Sequence, residues 1–196
     1  MNFCQVCGSS VVLKVPPNDS LPRHTCTSCD QVYYSNPIVV AGCIPFWRGK
    51  VLLCRRAIMP SYGNWTAPGG YVESGETIEQ CAKREAWEEA NIKVKLGPII
   101  SVTNVPAANQ VHIFFRADML SGDYGVASES LDVKLFHPRE IPWDRIAFYS
   151  VEETLRRMVG DGWAMSTSKN IPLNFTSQRP PRRNAFELSI QATGVV

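Results

Sequence analysis

Residues 70–92 read GYVESGETIEQCAKREAWEEANI, and everything else in the chain is placed by reference to this stretch. Thr77 stands where an N-cap belongs, and Gln80 three residues later completes a capping-box pattern. No Gly or Pro interrupts the chain from there to Ala90, which predicts one helix of about four turns. Projected onto that helix, Ile78, Cys81, Ala82 and Ala86 share a broad apolar face. Glu85 and Glu89 fall on the same face and Glu88 at its edge, because offsets of three and four stack side chains. Asn91 follows where a left-handed helix end is wanted, a conformation Asn tolerates better than other non-glycine residues. Trp87 projects away from the apolar face, which suggests packing against another module or a second subunit.

Three carboxylates at the margin of an apolar face repel one another and resist desolvation. A divalent cation removes the conflict, and hard Mg²⁺ suits carboxylate oxygens together with water and phosphate. The plainer alternative is a solvated acidic face in which Arg84 pairs with Glu88 four residues on. Against it stand the preceding turn WTAPGG at 65–70 and the fixed steps from Gly70 to Glu76 and from Glu76 to Arg84.

Upstream, Cys4-x2-Cys7 and Cys26-x2-Cys29 have the spacing of a four-cysteine zinc ribbon. Four thiolates close a tetrahedral shell around one Zn²⁺, so such a site holds structure and does not catalyse. With few basic residues nearby, nucleic-acid contact is disfavoured for this module against a structural knob or dimer surface. The other three cysteines, Cys43, Cys54 and Cys81, lie in apolar segments. An odd count with paired CxxC units favours metal in a reducing compartment over disulfides.

The chain has 196 residues, 44% hydrophobic and 19% charged, the composition of a soluble globular protein with room for one full domain and a small appendage. No run is long enough for a membrane span, and the N-terminus carries neither a signal nor a transit pattern, so a cytoplasmic location is expected. The net charge of +2 is uneven. From residue 166 onward there are four cations and one acid, leaving the body slightly acidic. A near-neutral body argues against a broad nucleic-acid surface.

A β-branched run at 38–44 reads as a buried strand, and 51–56 returns as its hairpin partner after a turn at 48–50. Further strands are expected at 94–105 (interrupted by Gly97-Pro98), 111–119 and 131–136, and a helix at 150–159. Strands on both sides of a central helix imply an α/β sandwich with a mixed sheet. Residues 166–196, polar and broken by Pro180-Pro181, are expected to form a poorly ordered basic tail.

The steps Gly70, Glu76, Arg84-Glu85, Glu88-Glu89 match the Nudix box, with Asn91 in place of its glycine. Together with the paired CxxC units, Asn36-Pro37, residues 53–58 (LCRRAI), Asn109-Gln110, residues 115–117 (FRA), Glu129-Ser130 and residues 140–143 (EIPW), the chain resembles the zinc-ribbon Nudix hydrolases. It is most similar in these motifs to the group of FAD and ADP-ribose pyrophosphohydrolases. The resemblance implies a Nudix α/β/α sandwich at 37–165 behind a ribbon at 1–36. It implies one to three Mg²⁺ or Mn²⁺ ions held by Glu85, Glu88 and Glu89, and a structural Zn²⁺ on Cys4, Cys7, Cys26 and Cys29. Glu76 either ligates a second metal or braces its loop. Arg84 orients a box glutamate, and a carbonyl at Gly69 or Gly70 is a further ligand candidate. Glu129, Glu88 and Glu89 are the candidates for the base. Arg55 or Arg56 binds phosphate, the other facing away by strand alternation. Trp65, Tyr71 and Phe115 are the aromatic residues available to stack a ring, although core packing is the ordinary role of each.

The implied activity is Mg-dependent cleavage of a nucleoside diphosphate derivative, ADP-ribose or FAD, to AMP and a phosphorylated moiety, with a small-molecule nucleotide as partner and a homodimer in keeping with the family. The signature SQPWPFPxS of NADH pyrophosphatases is absent, which argues against NADH. Pro106-Ala107 departs from the Pro-His of related members, so the substrate-side loop is open. The rival readings are a house-cleaning NTP pyrophosphatase and a non-catalytic ligand sensor or nucleic-acid-binding regulator, the latter disfavoured because every box carboxylate is present.

Overall fold

The computed structural model describes residues 1–160 and the pair Phe175–Thr176. The expected tail lies outside the described residues apart from that pair. The chain divides into two compact units, Met1–Pro37 and Ile38–Val196.

The first unit is a three-stranded antiparallel sheet of β1 (Val11–Lys14), β2 (Arg23–Cys26) and β3 (Val32–Tyr33), with β2 in the middle. Too small for an apolar core of its own, it buries two of its four cysteines, Cys4 and Cys26, and leaves Cys7 and Cys29 exposed.

Among the described residues the second unit is a sheet with one α-helix on each face. In chain order it contains β4 (Ile38–Trp47), β5 (Lys50–Arg56), β6 (Trp65–Thr66), β7 (Gly69–Tyr71), α1 (Ile78–Ala90), β8 (Val94–Val105), β9 (Gln110–Met119), β10 (Ser130–Phe136), α2 (Tyr149–Gly160) and β11 (Phe175–Thr176). The strand order is β10-β5-β4-β9-β8-β11, with β6 beside β5 and β7 beside β4. Two pairings, β4 with β9 and β11 with β8, are parallel and the others antiparallel, so the sheet is mixed. The β4–β5 hairpin turns on Arg48 and Gly49, both at positive φ, as a two-residue turn requires. The predicted interruption at Gly97-Pro98 is a register shift between Leu96 and Ile99 within one continuous strand.

Alternation along the strands sorts the core into two layers. Cys43, Leu52, Cys54, Phe115 and Ala117 face α1 and pack with Ala82, Ala86 and Ala90. Ile44, Leu53, Phe114 and Ile100 face the other way and pack with Val151 and Leu155 of α2. Alanines and Cys81 on the buried face of α1 let the helix lie close to the sheet, and this closeness positions the site.

Candidate functional site

Helix α1 begins as its sequence dictates. Thr77 accepts from the Gln80 amide at 3.2 Å and the Gln80 side chain accepts from Thr77 N–H at 2.7 Å, closing the capping box. It ends at Asn91, φ 54° and ψ 33°, whose N–H returns to the helix carbonyls. Near its start Cys81 Sγ reaches the carbonyls of Gly70 and Tyr71 at 3.6 and 3.5 Å, seating the helix beneath β7.

Gly70 stands against Glu85 so closely that a Cβ there would collide with the carboxylate. At Gly42 on β4 an added Cβ would meet the Pro68 carbonyl and lie 2.8 Å from Gly69 Cα. The strands β4 and β7 therefore meet backbone to backbone at Gly42 and Gly69, and the β7 backbone at Gly70 lies directly on the Glu85 carboxylate of α1. The glycines are required by close approach of neighbours.

Arg84 is the hub of the charged groups. Its Nη2 meets Glu76 Oε1 at 2.7 Å and its Nε meets Glu76 Oε2 at 3.2 Å, a two-pronged pair. Its Nη1 donates to Glu85 Oε1 at 2.6 Å and to Glu88 Oε2 at 2.9 Å, and Nη2 also donates to the Tyr71 carbonyl at 3.1 Å. Glu76 Oε1 accepts in addition from Glu73 N–H at 2.8 Å. Arg84 holds the Glu76 carboxyl down at about 2. With both oxygens engaged, Glu76 braces the loop between β7 and α1.

The remaining carboxylates sit in the opposite condition. Burial raises the Glu85 carboxyl above its ordinary range despite the Arg84 contact. Burial, with Glu85 next in importance, pushes Glu89 up to about 8. Glu89 is 6% exposed, and its Oε2 is buried without a hydrogen-bond partner. An orphaned carboxylate oxygen beside a second buried carboxylate is a costly arrangement, and a hard divalent cation resolves it with oxygen ligands. The donor set thus fits Mg²⁺ or Mn²⁺ on Glu85, Glu89 and the exposed Glu88.

The two arginines of β5 separate as alternation requires. Arg56 lies on the α1 side, where it senses the charges of Glu89 and Glu129 and where burial lowers its pKa first. Its Nε donates to the Pro60 carbonyl at 2.8 Å and its guanidinium lies 4.9 Å from the Phe148 ring centroid. Arg55 turns away, its Nε on the Gly63 carbonyl at 2.9 Å, a carbonyl that also accepts from Arg145 Nη2 at 3.0 Å. Glu129 is exposed on the loop before β10 and near enough to raise the pKa of Glu85 and Glu89. That loop is pinned: Ala57 N–H donates to the Glu129 carbonyl at 2.9 Å and Ser130 Oγ donates to the Glu89 carbonyl at 2.9 Å.

Of the three aromatic candidates, Trp65 and Phe115 are core residues, 7% and 4% exposed, and Trp65 meets Phe136 edge-on at 4.8 Å. Tyr71 stands out at 58% exposed. Trp87 is half-exposed, with Lys93 Nζ 5.9 Å from its ring centroid. The sequence reading missed the hydrogen-bonded group His112, Gln110 and Ser150 below Tyr71, since scattered polar residues in a strand carry no motif.

In the first unit the four Sγ atoms lie within 4.8 Å of one another. Cys4–Cys29 and Cys7–Cys26 are separated by 3.7 and 3.4 Å, close to the edge of about 3.8 Å that a tetrahedron with zinc–sulfur bonds of about 2.3 Å has. The N–H groups of Val6 and Ser28 point at Cys4 and Cys26 Sγ at 3.4 and 3.3 Å, the knuckle arrangement. The Tyr33 hydroxyl at 3.1 Å draws the Cys4 thiol down to about 6. This donor set fits Zn²⁺.

Comparison with known proteins assigns both units to one family. The model of the NUDIX domain matches residues 36–157, and that of the Nudix N-terminal module, a zinc ribbon, matches residues 2–35. The chain is 36% identical over 121 residues to the NAD-capped RNA hydrolase NudC of Chromobacterium violaceum, an alignment that takes in 62% of this chain and 44% of that protein. It is 32% identical over 119 residues to the ADP-ribose pyrophosphatase of Methanocaldococcus jannaschii, covering 59% of this chain and 69% of that one. Against the NudC proteins of C. violaceum and Photobacterium profundum the chain spans 44% and 58% of their length. The crystal structure of a NUDIX hydrolase from Nitrosomonas europaea superposes with a TM-score of 0.79 at 45% identity, over 82% of this chain and 92% of that one. The chain belongs to the NUDIX family, with the family's N-terminal zinc-ribbon module ahead of its NUDIX domain.

Proposed function

We propose that this hydrolase cleaves the diphosphate linkage of a nucleoside diphosphate derivative, ADP-ribose or FAD, giving AMP and ribose 5-phosphate or FMN. The observation that carries the reading is the orphaned, buried Glu89 oxygen beside Glu85, under a β7 backbone stripped of side chains at Gly69 and Gly70. Such a place suits a metal-bound phosphate. The M. jannaschii relative, named an ADP-ribose pyrophosphatase, supports the substrate class.

Mg²⁺ or Mn²⁺ bound by Glu85, Glu88 and Glu89 supplies charge neutralisation of the diphosphate and an acidified water. Arg84 keeps Glu85 and Glu88 in place while Glu76 fixes Arg84. Arg56 offers its guanidinium to a phosphate oxygen, and Arg55, turned to Gly63, holds the loop that follows. Glu129, exposed and electrostatically coupled to the carboxylate pair, is the base we favour for the attacking water. Tyr71 offers its face to the ring of the substrate. The ribbon holds one Zn²⁺ in a structural role.

Initial rates with Mg²⁺ across FAD, ADP-ribose, NADH, CoA and NTPs test this. AMP with ribose 5-phosphate or FMN is the expected product, and pyrophosphate released from an NTP as the fastest reaction overturns the reading. NAD-capped RNA is the second reading, because the C. violaceum and P. profundum relatives are named NAD-capped RNA hydrolases. A faster rate on NAD-capped RNA than on ADP-ribose or FAD selects it.

A further inference from the structure

Tyr71 is held at both ends. Its carbonyl accepts from Arg84 Nη2 at 3.1 Å, and its hydroxyl accepts from the amide Nε2 of Gln110 at 3.2 Å. Behind Gln110 lies a directional row of hydrogen bonds. Gln110 Oε1 is 2.8 Å from His112 Nε2, and His112 Nδ1 is 2.7 Å from Ser150 Oγ. A carbonyl oxygen only accepts, so His112 carries its proton on Nε2 and takes the Ser150 hydroxyl on Nδ1. Burial keeps the ring neutral, its pKa lowered to about 4. His112 is 8% exposed and Ser150 2%. Ser150 is fixed in turn by Thr154, which donates to its carbonyl at 2.7 Å and contacts Ser101 Oγ at 2.8 Å.

The register explains why these residues meet. Tyr71 and His112 both stand opposite Val40, from β7 and β9. All three side chains therefore emerge on the face that carries α2, and Gln110, two residues before His112, emerges there too. Because His112 occupies the amide oxygen, the NH₂ of Gln110 has one direction left, toward Tyr71. Buried polar groups such as His112 and Ser150 are expensive unless paired, and here both are paired, with the partly buried Gln110 carrying the row out to the exposed Tyr71 ring.

We infer that Gln110, oriented by His112, is a positioning residue that fixes the Tyr71 ring as a platform for the aromatic base of the substrate. The row from α2 thereby contributes to recognition of the base half, separately from the carboxylates that act on the diphosphate. This rests on the reading of Tyr71 as a substrate contact.

The test compares Gln110→Leu, Tyr71→Phe and the double variant in steady-state hydrolysis of ADP-ribose with Mg²⁺, with inhibition by AMP and by ribose 5-phosphate measured alongside. Each single variant is expected to raise KM and the AMP inhibition constant by about 5- to 10-fold, the worth of one hydrogen bond. The kcat and the ribose 5-phosphate constant should stay within about twofold, and the double variant should be no worse than the worse single one, because both remove the same contact. Unchanged KM in both single variants overturns the inference. So does a loss shared equally by kcat, both inhibitors and thermal stability, which marks a merely structural role. If the wild type cleaves neither ADP-ribose nor FAD, the substrate reading falls by itself, and calorimetric titration with AMP decides the inference: weaker binding to Gln110→Leu sustains it, and equal or absent binding overturns it.

Discussion

Glu89 shows how a residue's worth to function and to stability can differ in sign. Its carboxylate is buried with one oxygen unpaired, a condition that only function rewards. Glu89→Gln is expected to lower kcat by about 1,000-fold or more while raising the stability of the metal-free protein by about 1–3 kcal/mol. Turnover with excess Mg²⁺ and urea unfolding in a metal-free buffer check the two halves. His112 makes a different prediction, set by pH. Its folded pKa is about 4 against 6.5 in an ordinary environment. Above pH 6.5 both states are neutral and stability does not depend on this group. Below it the unfolded chain takes a proton that the folded chain refuses, so stability falls as pH drops from 6.5 toward 4. The stability advantage of wild type over His112→Asn should shrink by about 2 kcal/mol between pH 7 and pH 5 in paired urea titrations. Glu89's place in the site was legible from spacing, since Glu85 and Glu89 stack by helical geometry. His112 was illegible, because it joins Gln110 of its own strand to Ser150 of α2, a residue distant in sequence.

At the scale of elements, α1 is the best-specified part of the molecule. Cap, apolar face and left-handed end all appear between Thr77 and Asn91, and the structure places each where local physics puts it. Thr77→Ala removes the acceptor for Gln80 N–H and should cost about 1 kcal/mol. Asn91→Gly, which relieves the backbone cost of φ 54°, should be neutral or stabilising by less than about 1 kcal/mol. Thermal melts of both, with activity unchanged, are the check. Strands β4, β5, β8, β9 and β10 were visible as apolar stretches between turns, β4 most of all from its β-branched run. The short β6 and β7 were not. They are two and three residues long, and glycines at 69 and 70 carry no strand propensity. They exist because β4 and β5 splay apart and leave edges to be paired: Val40, Ala41 and Gly42 take β7, and Cys54 and Arg55 take β6.

For the whole molecule, the division at Pro37 and Ile38 separates two ways of holding a fold. The second unit has two apolar layers around one sheet. The first has four sulfurs and a small sheet, so metal binding is expected to supply its stability. Cys26→Ser should abolish stoichiometric zinc and unfold residues 1–37, with Mg²⁺-dependent turnover retained within about twofold by the second unit. Zinc analysis and hydrogen exchange across both units, run beside the rate assay, decide it. Among the described residues no helix is long and apolar enough to cross a membrane.

Sequence alone determined where the carboxylates gather, because Glu85, Glu88 and Glu89 are neighbours on one helix and local geometry carries them to one side of it. It likewise determined the four-cysteine cluster, whose members come as two local pairs. Tertiary structure alone decided which arginine faces the carboxylates, which of three aromatics is free to meet a ligand, and what holds that aromatic in place. Those outcomes depend on strand register, and register is settled by the packing of the whole sheet between α1 and α2.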